Sequence, residues 1–245
     1  MDATSQHFLM CRPTYFAVDY AINPWMDPSA PVDTDLAIQQ WEQLRQAYRD
    51  LGHTVEEIAP VPGLPDMVFA ANGGTVIDGK AMAVQFRDPQ RADEAPAYRA
   101  WFEAAGLELH DPKHVNEGEG DILLAGEYLL AGTGFRTAHA SHAQLQEVFG
   151  YPVITMQLVD PRFYHLDTAL AVLDERTVAY LPEAFSPRQP GGAAPALPRR
   201  RARHHGRRHG SGPQRGQRWP ARSAADAGHR FGGEAAGPGL PDDRG

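Results

Sequence analysis

Apolar and polar positions alternate with two different periods along this chain, and the switching between them sets its organisation. Short apolar runs bounded by Gly, Pro or Asp predict strands at His7 to Met10, Gly74 to Ile77, Met82 to Phe86 and Tyr128 to Ala131. Between them lie stretches of helical period. From Leu36 to Leu51 the residues Leu36, Trp41, Leu44, Tyr48 and Leu51 share one face, and Gly52 is placed to stop the helix. Pro96 to Ala105, followed by Gly106, repeats the plan with Tyr98, Trp101 and Phe102. Ser141 to Phe149, followed by Gly150, repeats it again with Ser141 as candidate N-cap. A strand follows each helix, at His53 to Ile58, Leu107 to His110 and Tyr151 to Met156. Strand, strand, helix, strand therefore recurs roughly every fifty residues, a period typical of propellers and repeat arrays. The pattern predicts an α/β fold with internal repeats.

That pattern stops after Pro187. Residues 188–245 contain no Ile, Val, Met, Tyr, Cys or Lys, and their large apolar residues are Leu197, Trp219, Phe231 and Leu240. Charge changes sign at the same seam: 11 Lys+Arg against 27 Asp+Glu before it, 12 Arg against 4 acids after it. Arg, Gly, Pro and Ala without Lys or Ile is the output of GC-rich DNA read out of frame. Moved one nucleotide forward, the codons of Gln214 to Ala225 can encode Asn-Ala-Val-Ser-Asp-Gly-Arg-His-Val-Val-Leu-Pro. The Trp219 codon is unique and must give glycine in that frame, as this reading needs. The expectation is one folded domain over residues 1–187, ample for a core, and an out-of-frame, disordered basic tail over 188–245. The competing reading takes Arg199 to His209 as a nucleic-acid patch or localisation signal. It explains neither the absent Lys nor the decodable frame.

The first part excludes several classes. A single cysteine, Cys11, rules out an internal disulfide and a Cys-rich zinc site and suits a reducing compartment. Met1 to His7 has neither a basic nor an apolar signal region, and no run approaches a membrane span. The expected location is cytoplasmic, with no membrane and no nucleic-acid partner. The acidic balance suits a cationic small molecule.

Four polar clusters flank the strands: Gly63 to Gly74, Asn116 to Asp121, Gly132 to Thr137 and Asp160 to Thr168. The second carries three carboxylates in five residues, separated by glycines that permit positive φ or close backbone approach. In the fourth, an extended segment would point His165 and Asp167 to one face. Each cluster has an ordinary reading when taken singly. Gly-Glu-Gly-Asp is commonly an acidic turn, Pro65-Asp66 a turn, and a lone histidine a satisfied, partly buried side chain. His139 and His142 lack a third ligand, so no metal is expected.

Taken in order the motifs say more. Met10-Cys11-Arg12-Pro13, Ile22-Asn23-Pro24-Trp25-Met26, Pro65-Asp66-Met67-Val68-Phe69-Ala70-Ala71-Asn72, Glu117-Gly118-Glu119-Gly120-Asp121, Gly134-Phe135-Arg136-Thr137 and Phe163-Tyr164-His165-Leu166-Asp167-Thr168 together resemble the guanidine-modifying amidinotransferase superfamily. Within it, the chain is similar to bacterial dimethylargininases and arginine dihydrolases, from about Phe8 to Pro187. The resemblance implies a five-bladed α/β propeller (pentein) of strand-strand-helix-strand modules, here truncated to about three and a half modules with an exposed strand edge. It implies no cofactor and a small guanidinium substrate, and leaves a homodimer open. Asp66 and Asp167 resemble the carboxylates that grip the guanidinium. His165 resembles the general acid/base, and Glu117 the acid that orients it, with Glu119 as rival. Arg136, at the rim of the cavity, and Arg87 resemble the arginines that bind the substrate α-carboxylate. Asn72 and Asn23 are similar to residues of the arginine dihydrolases, whereas dimethylargininases carry a Glu-Asp pair at Ala71-Asn72. The implied reaction is hydrolysis of dimethylarginine to citrulline and dimethylamine, with arginine hydrolysis or ligand binding without turnover as alternatives. The family nucleophile is a cysteine in a Gly-rich C-terminal segment ending Lys-Cys. Cys11, on the opening strand, does not match it.

Overall fold

A computed structural model describes residues 5–187 and two short strands of the tail, 199–201 and 217–219, the latter two as backbone only. The chain opens with β1 (His7–Cys11), crosses over through α1 (Thr34–Asp50) and returns as β2 (Thr54–Ile58) parallel to β1. Two modules then repeat one plan. β3 (Gly74–Ile77) and β4 (Lys80–Ala83) form an antiparallel hairpin, α2 (Ala95–Ala104) crosses over, and β5 (Glu108–His110) lies parallel to β4. β6 (Ile122–Ala125), β7 (Tyr128–Thr133), α3 (Ser141–Phe149) and β8 (Val153–Gln157) do the same. A short helix α4 (Leu166–Ala169) leads into a third hairpin, β9 (Leu170–Asp174) with β10 (Thr177–Tyr180).

The expected repeat is therefore present as four three-stranded mixed sheets, each with one antiparallel and one parallel pairing. Consecutive modules share cores. Leu9, Cys11 and Ile58 of the first sheet pack with Met67, Val76, Ala81, Tyr98 and Phe102 of the next module. Ile77 and Met82 pack in turn with Ile122, Leu129, Leu145 and Phe149. β6 packs against β9, the first strand of the last hairpin, and the turn Gly118–Gly120 touches β3, β6 and α4. That arrangement gathers the loops before the first strands at one place.

Several local expectations change. α1 starts earlier than Leu36 because the Asp33 carboxylate caps it, accepting from Leu36 N–H at 2.8 Å. Its apolar face is only partly used: Trp41 is buried, but Leu36 and Leu51 are exposed. Ser141 is not the N-cap of α3; Ala140 is, and Ser141 Oγ donates to the Ala138 carbonyl instead. Gly52, Gly106 and Gly150 end their helices at positive φ, as the pattern requires. The strand expected from Met82 to Phe86 ends at Ala83; beyond it Gln85 makes an isolated bridge to Asn116.

The tail departs from its expectation in two places. β11 (Arg199–Arg201) pairs parallel to β10, and β12 (Gln217–Trp219) pairs antiparallel to β1. The edges of β1 and β10 are thus covered rather than exposed. Ladder hydrogen bonds use backbone groups alone, so a sheet edge accepts an extended chain of almost any sequence. The remainder of the expected tail lies outside the described residues.

Candidate active site

Three irregular segments build the site. Turns of 3₁₀ helix at Pro65–Val68 and Ala70–Gly73 bring Asp66 and Asn72 inward just before β3. A third, Gly118–Gly120, separates Glu117 from Asp121 ahead of β6. His165 stands in extended conformation at the N-cap of α4. The acidic turn needs its glycines. Gly118 has φ +56°, and a Cβ there would lie 2.5 Å from the Gly74 carbonyl oxygen; a Cβ on Gly120 would lie 2.2 Å from Asn72 Nδ2.

At the centre the His165 ring lies between two carboxylates. Nε2 is 3.3 Å from Glu117 Oε2 and Nδ1 is 3.2 Å from Asp121 Oδ2, and none of the three side chains exceeds 1% exposure. Both are ion-pair contacts outside hydrogen-bond alignment. Burial works against the imidazolium, but Asp121 and Glu117 outweigh it and push the His165 pKa up to about 9. Burial would also raise the Glu117 carboxyl, yet its pairing with His165, aided by Arg136 and Arg91, lowers it to about 2. Glu117 further accepts from Arg87 N–H at 3.1 Å and from Arg136 Nη1 at 3.0 Å. Asp121 accepts from Leu166 N–H at 3.0 Å and Thr137 N–H at 3.1 Å.

Beside this triad lies a second buried charge cluster. Arg91 donates to Glu94 through Nε and Nη2 at 2.9 and 2.8 Å, to Asn72 Oδ1 at 2.7 Å and to the Asp66 carbonyl at 3.1 Å. Asp66 Oδ2 accepts from the Tyr20 hydroxyl at 2.9 Å, while its buried Oδ1 has no hydrogen-bond partner among the described residues. Burial raises the Asp66 and Glu94 carboxyls above the ordinary range, opposed chiefly by Arg91.

The expected site residues distribute as follows. His165 and Glu117 are in contact, and Asp66 and Asn72 join them through Arg91 and the Asn72 Nδ2 contact to the Glu117 carbonyl at 3.5 Å. Asn72 thus braces the two clusters. Of the rival acids, Glu117 faces His165, while Glu119 turns toward β3 and accepts from Val76 N–H. Arg136 is not at a rim. It is buried, ion-paired to Glu117 and to Asp88 at 3.2 Å, stacked on Tyr164 at 4.9 Å, and bound to the Ile22 carbonyl at 2.9 Å. Arg87 is exposed, its guanidinium donating to the Phe135 carbonyl. Asp167 is half-buried in the first turn of α4, so the strand alternation that would align it with His165 does not apply. Asn23 accepts from Trp25 N–H and stabilises its own loop.

Sequence reasoning missed Asp121, Arg91, Glu94 and Tyr20 as site residues. Asp121 lay within the acidic cluster already singled out, but nothing in its spacing marked it. Cys11 is buried in the first core, where burial, then Glu94 and Glu57, push its thiol up to about 12. His142 bonds Thr155 Oγ1 at 2.9 Å, and burial lowers its pKa. A surface cavity of about 310 Å³ lined by Lys80, His110, Asp111, Lys113 and their neighbours contains none of the site residues.

No protein-family model matches the chain. It is 54% identical over 182 residues to the N(G),N(G)-dimethylarginine dimethylaminohydrolase of Mycobacterium tuberculosis, covering 74% of this chain and 60% of that protein. It is 39% identical over 183 residues to the bifunctional arginine dihydrolase/ornithine cyclodeaminase AgrE of Nostoc, covering 73% of this chain and 26% of that one. The crystal structure of the N-terminal domain of ArgZ, a cyanobacterial arginine dihydrolase, superposes with a TM-score of 0.71 at 35% identity, covering 74% of this chain and 69% of that domain. The chain belongs to the dimethylarginine dimethylaminohydrolase and arginine dihydrolase family. A dimethylarginine dimethylaminohydrolase adduct with S-methyl-L-thiocitrulline, 18% identical with a TM-score of 0.63, shares the fold. The chain spans about 60% of the length of the mycobacterial family member. Among the described residues no helix is long and apolar enough to cross a membrane.

Proposed function

We propose that residues 1–187 are the guanidinium-binding and proton-transfer part of a five-bladed propeller enzyme that hydrolyses dimethylarginine to citrulline and dimethylamine. The observation that carries this reading is the buried His165 ring against Glu117, in one network with buried Asp66, whose Oδ1 has no hydrogen-bond partner among the described residues. In this reading Asp66 and Asp167 accept the paired N–H donors of the planar guanidinium. Arg136 and Arg87 take the α-carboxylate, Arg136 exchanging a protein carboxylate for it. A cysteine thiolate attacks the guanidinium carbon. The C–N bond to the amine breaks, and His165 supplies the proton with which dimethylamine departs. Water, giving a proton back to His165, adds to the thiouronium carbon, and the C–S bond breaks to release citrulline.

The thiolate is the missing part. Cys11 is the chain's one cysteine, and its buried, raised-pKa thiol is unsuited to the task. We take residues 188–245 to be read out of frame, so that the nucleophile's segment is absent from this chain. Arginine hydrolysis is the second reading, favoured by Ala71-Asn72 and by the likeness to AgrE and ArgZ. A cytoplasmic location and a homodimer belong to the same proposal.

Two expressed forms test it: the chain as it stands, and one with a base deleted near the Pro187 codon. Citrulline release from dimethylarginine is expected only from the second, and is lost when its C-terminal cysteine becomes serine. Calorimetry of the unrepaired chain with dimethylarginine and with arginine reads binding alone. Turnover by the unrepaired chain refutes the nucleophile argument.

A further inference from the structure

We infer that Asp121 is a positioning residue for the proposed reaction: it fixes His165 through Nδ1 as an imidazolium and keeps the Nδ1 proton when the ring gives up the one on Nε2. The inference rests on the proton-transfer role proposed for His165.

The geometry carries it. Each ring nitrogen faces a carboxylate, at 3.2 Å from Asp121 and 3.3 Å from Glu117, and all three side chains are buried. A neutral imidazole has one N–H and one lone pair, so either tautomer would turn a lone pair toward a buried carboxylate. Only the doubly protonated ring offers a donor to both. Also near the ring are Tyr164, at 5.0 Å between centroids, and Asn72 Nδ2 beneath Gly120; Arg136 stands behind Glu117 and over Tyr164.

The two carboxylates are not equivalent. Glu117 has a second cation, Arg136 at 3.0 Å, which meets part of its charge. The ion-pair contact of Asp121 is with His165, and its other bonds are main-chain N–H groups of Leu166 and Thr137. These two bonds also pin the carboxylate, and the Asp121 carbonyl accepts from Gly132 N–H at 2.7 Å, so it has little freedom to rotate away. The less compensated carboxylate holds its proton partner more strongly. The Nε2 proton, on the Glu117 side, is therefore the one that moves, and the ring that remains is the Nδ1–H tautomer with its Nε2 lone pair free to take a proton from water. The division of labour parallels that of the carboxylate that fixes histidine tautomer in serine hydrolases.

The test is ¹⁵N NMR of the full chain, with the His165 signal identified by its loss in His165→Gln. In the wild type both ring nitrogens are expected to be protonated at pH 7.5, with the Nδ1–H tautomer appearing at higher pH. In Asp121→Asn, folded by circular dichroism, the transition is expected to fall by at least about one pH unit, and Asp121→Glu to recover part of it. A purely structural Asp121 would lower the melting temperature and leave the titration in place; that result in folded Asp121→Asn overturns the inference. If Asp121→Asn does not fold, the wild-type spectrum decides alone: a ring that is neutral at pH 7.5, or whose neutral form carries its proton on Nε2, overturns it. Binding of dimethylarginine, measured separately by calorimetry, tests the proposed substrate, so the two ideas fail on different readouts.

Discussion

On the outer surface, between α1 and β2, Arg45 reaches Glu42 at 2.5 Å and Glu57 at 2.6 Å, with Arg12 and Arg49 each 3.5 Å from one of these acids. Near the site, Arg91 holds Glu94 at 2.8 Å and Arg136 holds Glu117 at 3.0 Å. The residue types and distances are alike, but the solvent is not. The outer side chains are 24–43% exposed, whereas these inner ones are at most 4%. Water screens the outer network, which contributes on the order of 0–1 kcal/mol per pair. Inside, desolvation makes the pairs costly to assemble and costly to break. That tension puts the Glu117 and His165 pKa values far from ordinary, to about 2 and about 9. Perturbed proton affinity is what a proton-transfer site needs. The comparison separates charge that decorates a surface from charge able to do chemistry.

Removing Arg91 should show the contrast at its largest. Arg91→Ala leaves Glu94, Asn72 Oδ1 and the Asp66 carbonyl without their donor, and is expected to cost about 3–5 kcal/mol in urea unfolding. A cost under about 1 kcal/mol would mean that the inner cluster behaves like the outer one. Gly118→Ala should follow, at about 2 kcal/mol or more, because a positive-φ residue must also push its Cβ into the Gly74 carbonyl.

pH distinguishes the clusters next. The folded His165 pKa of about 9 exceeds the ordinary value of about 6.5, so its contribution to stability is fully present below pH ~6.5 and is lost as pH rises through about 9. Unfolding free energy should fall by on the order of 2 kcal/mol over that window, and by less in Glu117→Gln. An equal slope in Glu117→Gln would detach the effect from the His165 pair.

Tyr20→Phe removes the hydroxyl bound to Asp66 Oδ2 and is expected to cost about 1.5 kcal/mol, read from the thermal midpoint. Arg45→Gln should cost the least, at or below about 1 kcal/mol, and less still at high salt. A larger loss there would place part of the stability in the surface network after all.

Much of this molecule was legible as pattern. The period-two and helical runs located the hairpins and crossover helices because each buries one face locally, as Tyr98 and Phe102 do in α2. Boundaries slipped where a capping side chain or a site loop intervened, at Asp33 and beyond Ala83. Motif order pointed to His165, Glu117, Asp66 and Asn72, which the fold links in one network.

By itself, then, the sequence determined the repeating modules, the compositional seam after Pro187 and the acidic turn. Those follow from local periodicity, from composition and from residue type. Only the tertiary structure decided that Glu117 rather than Glu119 meets His165, that Asp121 closes the ring from the other side, and that Arg136 lies inside. Across Gly118 and Gly120, neighbouring acids leave the backbone in directions that spacing does not encode. Their shared partner His165 lies 48 positions from Glu117 and 44 from Asp121, and meets them only when separate modules dock.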